Sequence, residues 1–517
     1  MSSGELNEAQ SSEVQSTSSS PSSLTAGLAA TQKSRDKIRG YVPAAQRDKF
    51  DDWWEALIGE VTAQDFKFSG TAMRSVDQRI EEIDQQISRQ LREVMHHPEF
   101  QKLEGTWRGL QRFVNNTEIQ KGELEVHVMN CSKDTLSEEF ENAGQPHKSD
   151  FYKKMVRGTY QVFGGVPFGV VVADYEWSEH PRDVKTLSDF AKVASISHTS
   201  ILTAPSPALW GKDSFDALKG LDTQNFADIF ERPECIEWRN FRESHESRYV
   251  TMAMPRYMAR LPYGNGKSNI KVDDFHFEEF ELSEDGENQE QPNSKFCWSN
   301  AAYALAERVT ESFFVWGWTT AIRGVENGGL VRELPLYKYT SARGDTRVHC
   351  PTELVLDFEQ EFALSNQGMC PLQYYLDKNY AVFAGGQTAR KPRKVVEEAA
   401  QASENLSARL PYILAVSRVI HFCKAIAHDK VGSFLERTDA EKWLNDWVRQ
   451  YVDNGANPSD EIKRKKPFKQ AKIVVRDKPG DPGFYEVEVL LAPWIQFEGM
   501  TANFTMVADV EKAKPSK

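Results

Sequence analysis

Side chains able to do chemistry are present in this sequence, but not in the arrangements that chemistry needs. Gly266-Lys267-Ser268 has the ending of a phosphate-cradling P-loop, yet the glycine required five residues earlier is Leu261. Gly164-Gly-Val-Pro-Phe-Gly169 is glycine-rich but precedes a strand-like run, whereas a dinucleotide fingerprint follows its strand and opens a helix. The eleven histidines are dispersed. His97-Pro-Glu99 lacks the downstream PCxxC of a zinc deaminase, His245-Glu246 meets Tyr249 where a zincin carries its second histidine, and no GxSxG elbow occurs. Acidic neighbours such as Glu278 and Glu279 lie among polar residues and read as solvated. No catalytic, cofactor-binding or metal-ligating residue is assigned, and no cofactor is expected. An intracellular α/β enzyme with an unrecognised pocket is the competing class.

The elements around these residues look like a frame. With 517 residues the chain can hold two or three domains and a sizeable core. Its six cysteines, at 131, 235, 297, 350, 370 and 423, form no CxxC pair and no disulfide scaffold, so a reducing cytoplasm is expected. No apolar run approaches the roughly 18–20 residues that span a bilayer, and no hydrophobic signal segment opens the chain, so no membrane insertion is expected. A net charge of −13 argues against nucleic acid as the main ligand. The short basic runs at 390–394 and 463–466 read as solvated loops or protein contacts.

Residues 1–45 are rich in Ser, Gln, Glu, Ala and Thr and read as a flexible tail. Within it Leu24 and Leu28 stand one helical turn apart among small residues, as in a peptide that folds in a partner's grip or in a bland Ala-rich stretch. Met73, Val76, Ile80, Ile83, Ile87, Leu91 and Val94 predict a long helix with a nearly heptad stripe. Pro98 breaks it, and a second helix carries Phe100, Leu103, Trp107, Leu110 and Val114 on one side. The pair is expected to pack on its own domain more readily than on a partner, although the first stripe would be partly uncovered without one. A strand at 168–173, a helix from Pro181 and a strand at 200–204 make one crossover. Helix is expected over 300–314 and an alternating strand through Trp316, Trp318, Thr320 and Ile322.

The stretch 405–454 organises the C-terminal part. Its first half, to His428, is apolar around most of its circumference and predicts one buried core helix. A second helix starts at the Thr438/Glu441 capping spacing, with Trp443, Trp447 and Tyr451 facing inward and Asp439, Lys442, Asp446 and Arg449 outward. Runs at 471–477 and 484–491 flank turn-forming residues and predict a hairpin. A third β-type run covers 501–508.

Several ordered blocks then suggest a family. They are His97-Pro-Glu-Phe-Gln-Lys-Leu-Glu-Gly-Thr-Trp-Arg-Gly-Leu110, Phe163-Gly-Gly-Val-Pro-Phe-Gly169 with Ala173-Asp-Tyr-Glu176, Trp238-Arg-Asn-Phe-Arg-Glu-Ser244 with Ser247-Arg-Tyr249, Leu261-Pro-Tyr-Gly264, Ala321-Ile-Arg-Gly-Val-Glu326, Cys350-Pro-Thr-Glu353 and Ala408-Arg-Leu-Pro-Tyr-Ile-Leu-Ala-Val-Ser-Arg418. Together they resemble the large sheath subunit of the bacterial type VI secretion system contractile tail, the TssC/VipB family, over about 75–510. The resemblance implies an α/β (α+β mixed), contractile phage-tail-sheath-like fold and a structural, non-enzymatic role. It implies a small sheath subunit as obligate partner, further copies in a helical cylinder, an inner tube protein, a baseplate, and a Clp-class ATPase acting on the contracted form. The weak leucine patch at 23–31 departs from the more acidic, leucine-rich helix that members often carry for the motor.

On this reading residues 1–45 are the tail, 46–120 a helical N-terminal region, 121–395 the α/β sheath domain, 396–460 core helices and 461–517 strands for linkage between subunits. Tyr485, Val487, Val489, Phe504 and Met506 are the candidate linkage residues; Asp439, Lys442, Asp446 and Arg449 the candidate tube-facing ones; Leu24 and Leu28 the candidate motor site.

Overall fold

The computed structural model describes residues 35–36, 39–40, 47–62, 72–117, 119, 123–160, 162, 164–219, 228–272, 277–283, 285–341, 343–429, 437–455, 458–477 and 485–494. Leu24, Leu28, Phe504 and Met506, with the whole run 501–508, lie outside them. The chain divides into two units, Met1–Gln86 and Ile87–Lys517. In the first, helix α1 (Arg47–Thr62) buries Phe50 beside Trp54, and Asp51 accepts from Arg35 and Arg39, both at 2.9 Å. Helix α2 (Ala72–Met95) begins in the first unit and ends in the second. Its length and limits follow from the apolar repeat and from Pro98, which starts α3 (Pro98–Asn115) in the first-turn position where a missing N–H costs nothing.

Next come α4 (Lys133–Ala143), β1 (Val170–Trp177), α5 (Pro181–Ser197), β2 (Ser200–Pro205), α6 (Ile236–Glu243) and β3 (Val250–Met254). Short pieces β4 (Tyr257–Met258) and β5 (Trp298–Ser299) precede α7 (Ala301–Trp316); β6 (Leu330–Val331), β7 (Lys338–Thr340) and β8 (Thr346–Val348) follow. Helix α8 (Phe358–Asn366) leads into β9 (Met369–Tyr374) and β10 (Ala381–Phe383). The main sheet has the order β1-β2-β3-β9-β10-β6; β1, β2, β3 and β9 are parallel, while β10 and β6 are antiparallel to their neighbours. The expected crossover β1-α5-β2 is present, with Pro181 in the first turn of its helix.

Both faces of the sheet are covered, as parallel strands require. Ile201, Met252 and Met369 point into one core with Val184, Leu187 and Phe190 of α5 and Trp238 of α6. Leu202, Ala253 and Cys370, one position on, point into a second core with Ala302, Leu305 and Val309 of α7. The period of two in the strands thus assigns each side chain to one core or the other.

The predicted helix over 405–428 is two helices, α9 (Glu398–Leu406) and α10 (Leu410–Asp429). Between them residues 407–409 run beside 386–388, with Thr388 N donating to Ala408 O at 2.9 Å and Leu410 N to Gly386 O at 2.8 Å. Pro411 explains the break, because it supplies no N–H and disfavours helical backbone before it. The predicted strand at 316–322 is absent. Helix α7 runs to Trp316, Gly317 turns the chain at φ 74°, and an irregular segment delivers Trp318 to one core and Ile322 to another. Helix α11 (Arg437–Val448) is followed by a short turn at 449–451, then by α12 (Asp460–Lys465), β11 (Phe468–Asp477) and β12 (Tyr485–Pro493). β11 and β12 form the expected antiparallel hairpin.

Candidate functional site

Two surfaces of the second unit carry groups that the fold itself does not finish. The first begins with an inversion. Large apolar residues on one side of a helix normally mark its buried face, and α3 was expected to obey. Instead its buried residues are Gly105, Gly109 and Phe113, while Trp107 is 60% exposed, Leu103 56% and Phe100 38%. The glycines allow the approach. A Cβ on Gly105 would lie 2.1 Å from the carbonyl oxygen of Trp298, and one on Gly109 would lie 2.3 Å from Ser299 Oγ. Helix α3 therefore rests its backbone on β5 and the start of α7 and turns Phe100, Leu103 and Trp107 out, while Phe113, with Leu110 beside it, packs into the second core. On α2, Ile87, Leu91 and Val94 are exposed in the second unit, as Ile80 and Ile83 are in the first.

Ion pairs hold α3 in that orientation. Arg260, 4% exposed, donates to Glu104 at 2.6 Å and to Glu279 at 2.6 Å. Arg108 bonds Glu104 at 2.7 Å and Tyr263 Oη at 2.8 Å; Arg112 reaches Glu307 at 3.1 Å and the carbonyls of Arg332 and Glu333. Burial pushes the Glu104 and Glu279 carboxyls up. The opposing pull of Arg260, with Arg108 on Glu104 and His96 on Glu279, is larger and holds both below the ordinary carboxylate range. A charged network that is paired on every side fixes geometry more than it adds stability.

The second surface is the C-terminal hairpin. Ile473 faces Val489, Val475 faces Val487, and Asp477 faces Tyr485 in unbroken register from Gln470 onward. Phe468, Ile473 and Val475 are buried with Trp318, Val419, Leu444 and Val448, and Val489 and Leu491 pack against this cluster, while Val487 is 41% exposed. The described residues therefore include three of the candidate linkage positions, Tyr485, Val487 and Val489, all on β12.

The candidate tube-facing residues Asp439, Lys442, Asp446 and Arg449 are all exposed on or just after α11, with Arg449 paired to Asp446 at 3.1 Å. On its other side the expected inward stripe is shifted. Leu444 and Val448 are buried, Trp447 and Tyr451 are partly buried against the same cluster, and Trp443 is 41% exposed. The capping role expected of Glu441 is replaced, since its carboxylate accepts from Val475 N at 3.1 Å.

Lys267 is paired with Glu287, and Ser268 is tied to Lys338. No group of three or more metal-ligating side chains occurs among the described residues, and none of their helices is long and apolar enough to cross a membrane. What sequence reasoning missed is the glycine face of α3. Gly105 and Gly109, four apart with Phe113 four further on, were its only signal.

Comparison with known proteins gives this geometry a context. The N-terminal domain profile described as EvpB/VC_A0108 tail sheath matches residues 77–390, and the tail sheath gpW/gp25-like domain profile matches 399–510. The type VI secretion system sheath protein TssC1 of Pseudomonas aeruginosa is 36% identical over 449 residues, covering 86% of this chain and 88% of that protein. Two solved structures of the anti-feeding prophage, its baseplate and its contracted helical sheath, align at 9% and 10% identity with TM-scores of 0.33 and 0.26. They cover 63% and 62% of this chain and 66% of each of those chains, a likeness too remote to bear on the reading. The two profiles and the identity across most of both sequences make this chain a member of the EvpB/VC_A0108 tail sheath family, the TssC/VipB proteins of type VI secretion.

Proposed function

We propose that this structural sheath protein works as an obligate heterodimer with a smaller sheath subunit, which covers the outward apolar face of α2 and α3. The inversion of α3 carries the reading. Leu103, Trp107, Val94 and Ile87 are each roughly half exposed, so covering them recovers about half of the roughly 1.5–3 kcal/mol that full burial of such a side chain contributes, a share of the surplus that association needs and not the whole of it. Heterodimers then stack head to tail into a helical cylinder in the cytoplasm, seated on a baseplate and surrounding an inner tube that contraction propels. Strand addition at the hairpin links neighbouring subunits, Phe504 and Met506 contributing from the C-terminal run, while Asp439, Lys442, Asp446 and Arg449 face the tube. A Clp-class ATPase gripping Leu24 and Leu28 dismantles the contracted form. The competing enzyme reading has no support in the family.

One system tests all of this: co-expression with a small sheath subunit, negative-stain microscopy of tubules, and tube-dependent secretion. The complex is expected to give tubules, and the chain alone to aggregate. Trp107→Asp with Leu103→Asp should abolish co-purification without changing the α/β core. Asp439→Lys with Asp446→Lys should keep tubules and lower secretion, and Leu24→Asp with Leu28→Asp should slow only disassembly. A stable monomer of the chain alone, or tubules from the Trp107/Leu103 variant, would refute the obligate partner; unchanged secretion or disassembly would refute the tube or motor assignment.

A further inference from the structure

Helix α8 opens on an acidic, aromatic surface. Asp357 and Gln360 close a capping box, Gln360 N donating to Asp357 Oδ1 at 2.7 Å and Asp357 N to Gln360 Oε1 at 3.2 Å, so the first turn is held in one shape. Leu364 and Ser365 form the buried side of the helix. Phe358 and Phe362, four residues apart and therefore on one face, are 80% and 67% exposed. Glu359 is exposed beside them, and no Lys or Arg occurs from 351 to 366. Two rings together in solvent, rimmed only by carboxylates, mark a surface that another surface covers.

A cleft of about 650 Å³ lies in the same unit. Arg323, Arg409, Lys463 and Arg464 line it against two carboxylates, Glu326 and Asp460, and Val325, Pro467 and Trp494 supply apolar wall. Arg464 fixes one side by donating to Asn327 Oδ1 and Glu326 O, both at 2.8 Å. The indole N–H of Trp494 is buried and meets no acceptor among the described residues. An aromatic ring flanked by carboxylates suits such walls, the ring against proline and indole and the acid against the cationic excess.

Strand register puts the two features at opposite ends of β9. Gln373 Nε2, near the carboxyl end of β9, donates to Asp357 O at 3.2 Å. β10 runs back alongside, with Ala381 opposite Tyr374 and Phe383 opposite Leu372. The cleft begins just beyond it, at Ala384 and at Gly324, whose N–H donates to Phe383 O at 2.7 Å. A projection at one end of a packed unit and a complementary cleft at the other meet between copies, not within one. Such a head-to-tail contact extends into a helical array when its rotation does not close.

We propose that the cleft beside α12 seats the first turn of α8 from another copy of this chain, Phe358 entering it and Glu359 meeting its basic rim. This rests on the sheath reading and deepens it, because it names two surfaces through which copies touch. A turn already held in its bound shape by a capping box loses little freedom on docking. The contact uses neither the α2 and α3 face nor the C-terminal hairpin, so it forms alongside both.

The test uses the full-length heterodimer and its tubules. With Phe358→Cys and Val325→Cys on the same chain, oxidation of tubules should give a ladder of cross-linked copies at least tenfold stronger than either single substitution gives. Phe358→Asp should leave the yield of heterodimer unchanged and lower tubule formation at least tenfold. Glu359→Lys and Lys463→Glu should each lower it at least threefold, and the two together should restore it to within twofold. The proposal is overturned by tubules of the double-cysteine chain that give no ladder, by normal tubules from Phe358→Asp, by absence of rescue in the charge exchange, or by a cross-link from the cleft to the small subunit instead. Failure of the unaltered complex to form tubules would defeat the sheath reading itself, whereas unaltered tubules with no ladder from the cysteine pair would defeat this contact alone.

Discussion

Gly105 is a position where helix propensity and packing make opposite demands. Inside a helix, alanine is favoured over glycine by about 1 kcal/mol. Here the added methyl carbon would lie 2.1 Å from a backbone oxygen of Trp298, which has no flexible side chain to yield. Gly105→Ala is therefore expected to destabilise the complex by about 1–3 kcal/mol, in the range of overpacking, measured as a shift of the denaturant midpoint. An increase in stability would mean that α3 does not rest on β5. The wheel of α3 shows its apolar side in the sequence, but not which way that side looks. Only the chain that meets the glycines, Trp298–Ser299 and Tyr303, decides it, and those residues are nearly two hundred positions away. Asn445 was equally hidden. In sequence it is one more polar residue of α11, and its side-chain amide bonds both backbone groups of Ile473 only because β11 passes beside it.

Elements were far more legible than residue roles. Pro98 and Pro181 mark helix starts, the apolar repeat gives α2 its length, and the turn-forming residues between two β-type runs give the hairpin. Where the reading failed, two cores competed for one segment. The alternation from Trp316 to Ile322 has a strand's period, yet Trp318 and Ile322 serve different clusters. The hairpin supplies a prediction at this scale, because adjacent residues on β12 have opposite duties. Val475 N is taken by Glu441 on α11, so Val487 opposite it turns its own N–H away from β11. Val487→Pro removes that donor from the outer edge, where proline is tolerated; Glu488→Pro removes one that faces Val474 on β11. The first variant should leave a soluble heterodimer with an intact circular dichroism spectrum and no tubules. The second should lose the hairpin and the surrounding cluster. Tubules from Val487→Pro would rule out β12 as the linking edge.

For the whole molecule, protonation sets a limit on stability. Burial, assisted by the neighbouring charges of Lys424 and His421, holds His198 down to about 3; burial likewise holds His349 and His421 down to about 4. His421 is a donor to Ser197 O at 2.9 Å and needs no charge to be so. A histidine near 6.5 when unfolded and lower when folded binds more protons in the unfolded chain throughout the interval between, so folding stability falls as pH falls. The contribution is fully present above about pH 6.5 and fades toward pH 4. Glu104 and Glu279, held low by Arg260, add a further loss below their unfolded value of about 4.3. Melting temperatures of the complex should decline from pH 7 to pH 4.5, and His421→Gln should flatten that slope. A flat profile in the unaltered protein would contradict the burial of these rings.

Helix α10 places Ile413 in the first core of the sheet, Leu410 and Leu414 in the second, and Ala415, Val419 and Cys423 in the cluster under the hairpin. Mechanically it is a common axle. If the proposed linkage holds, a pull on β12 from an adjoining subunit passes through the hairpin cluster into α10 and from there into both sides of the six-stranded sheet. During contraction the second unit should consequently turn as one rigid lever, the tilt between copies being taken up outside it.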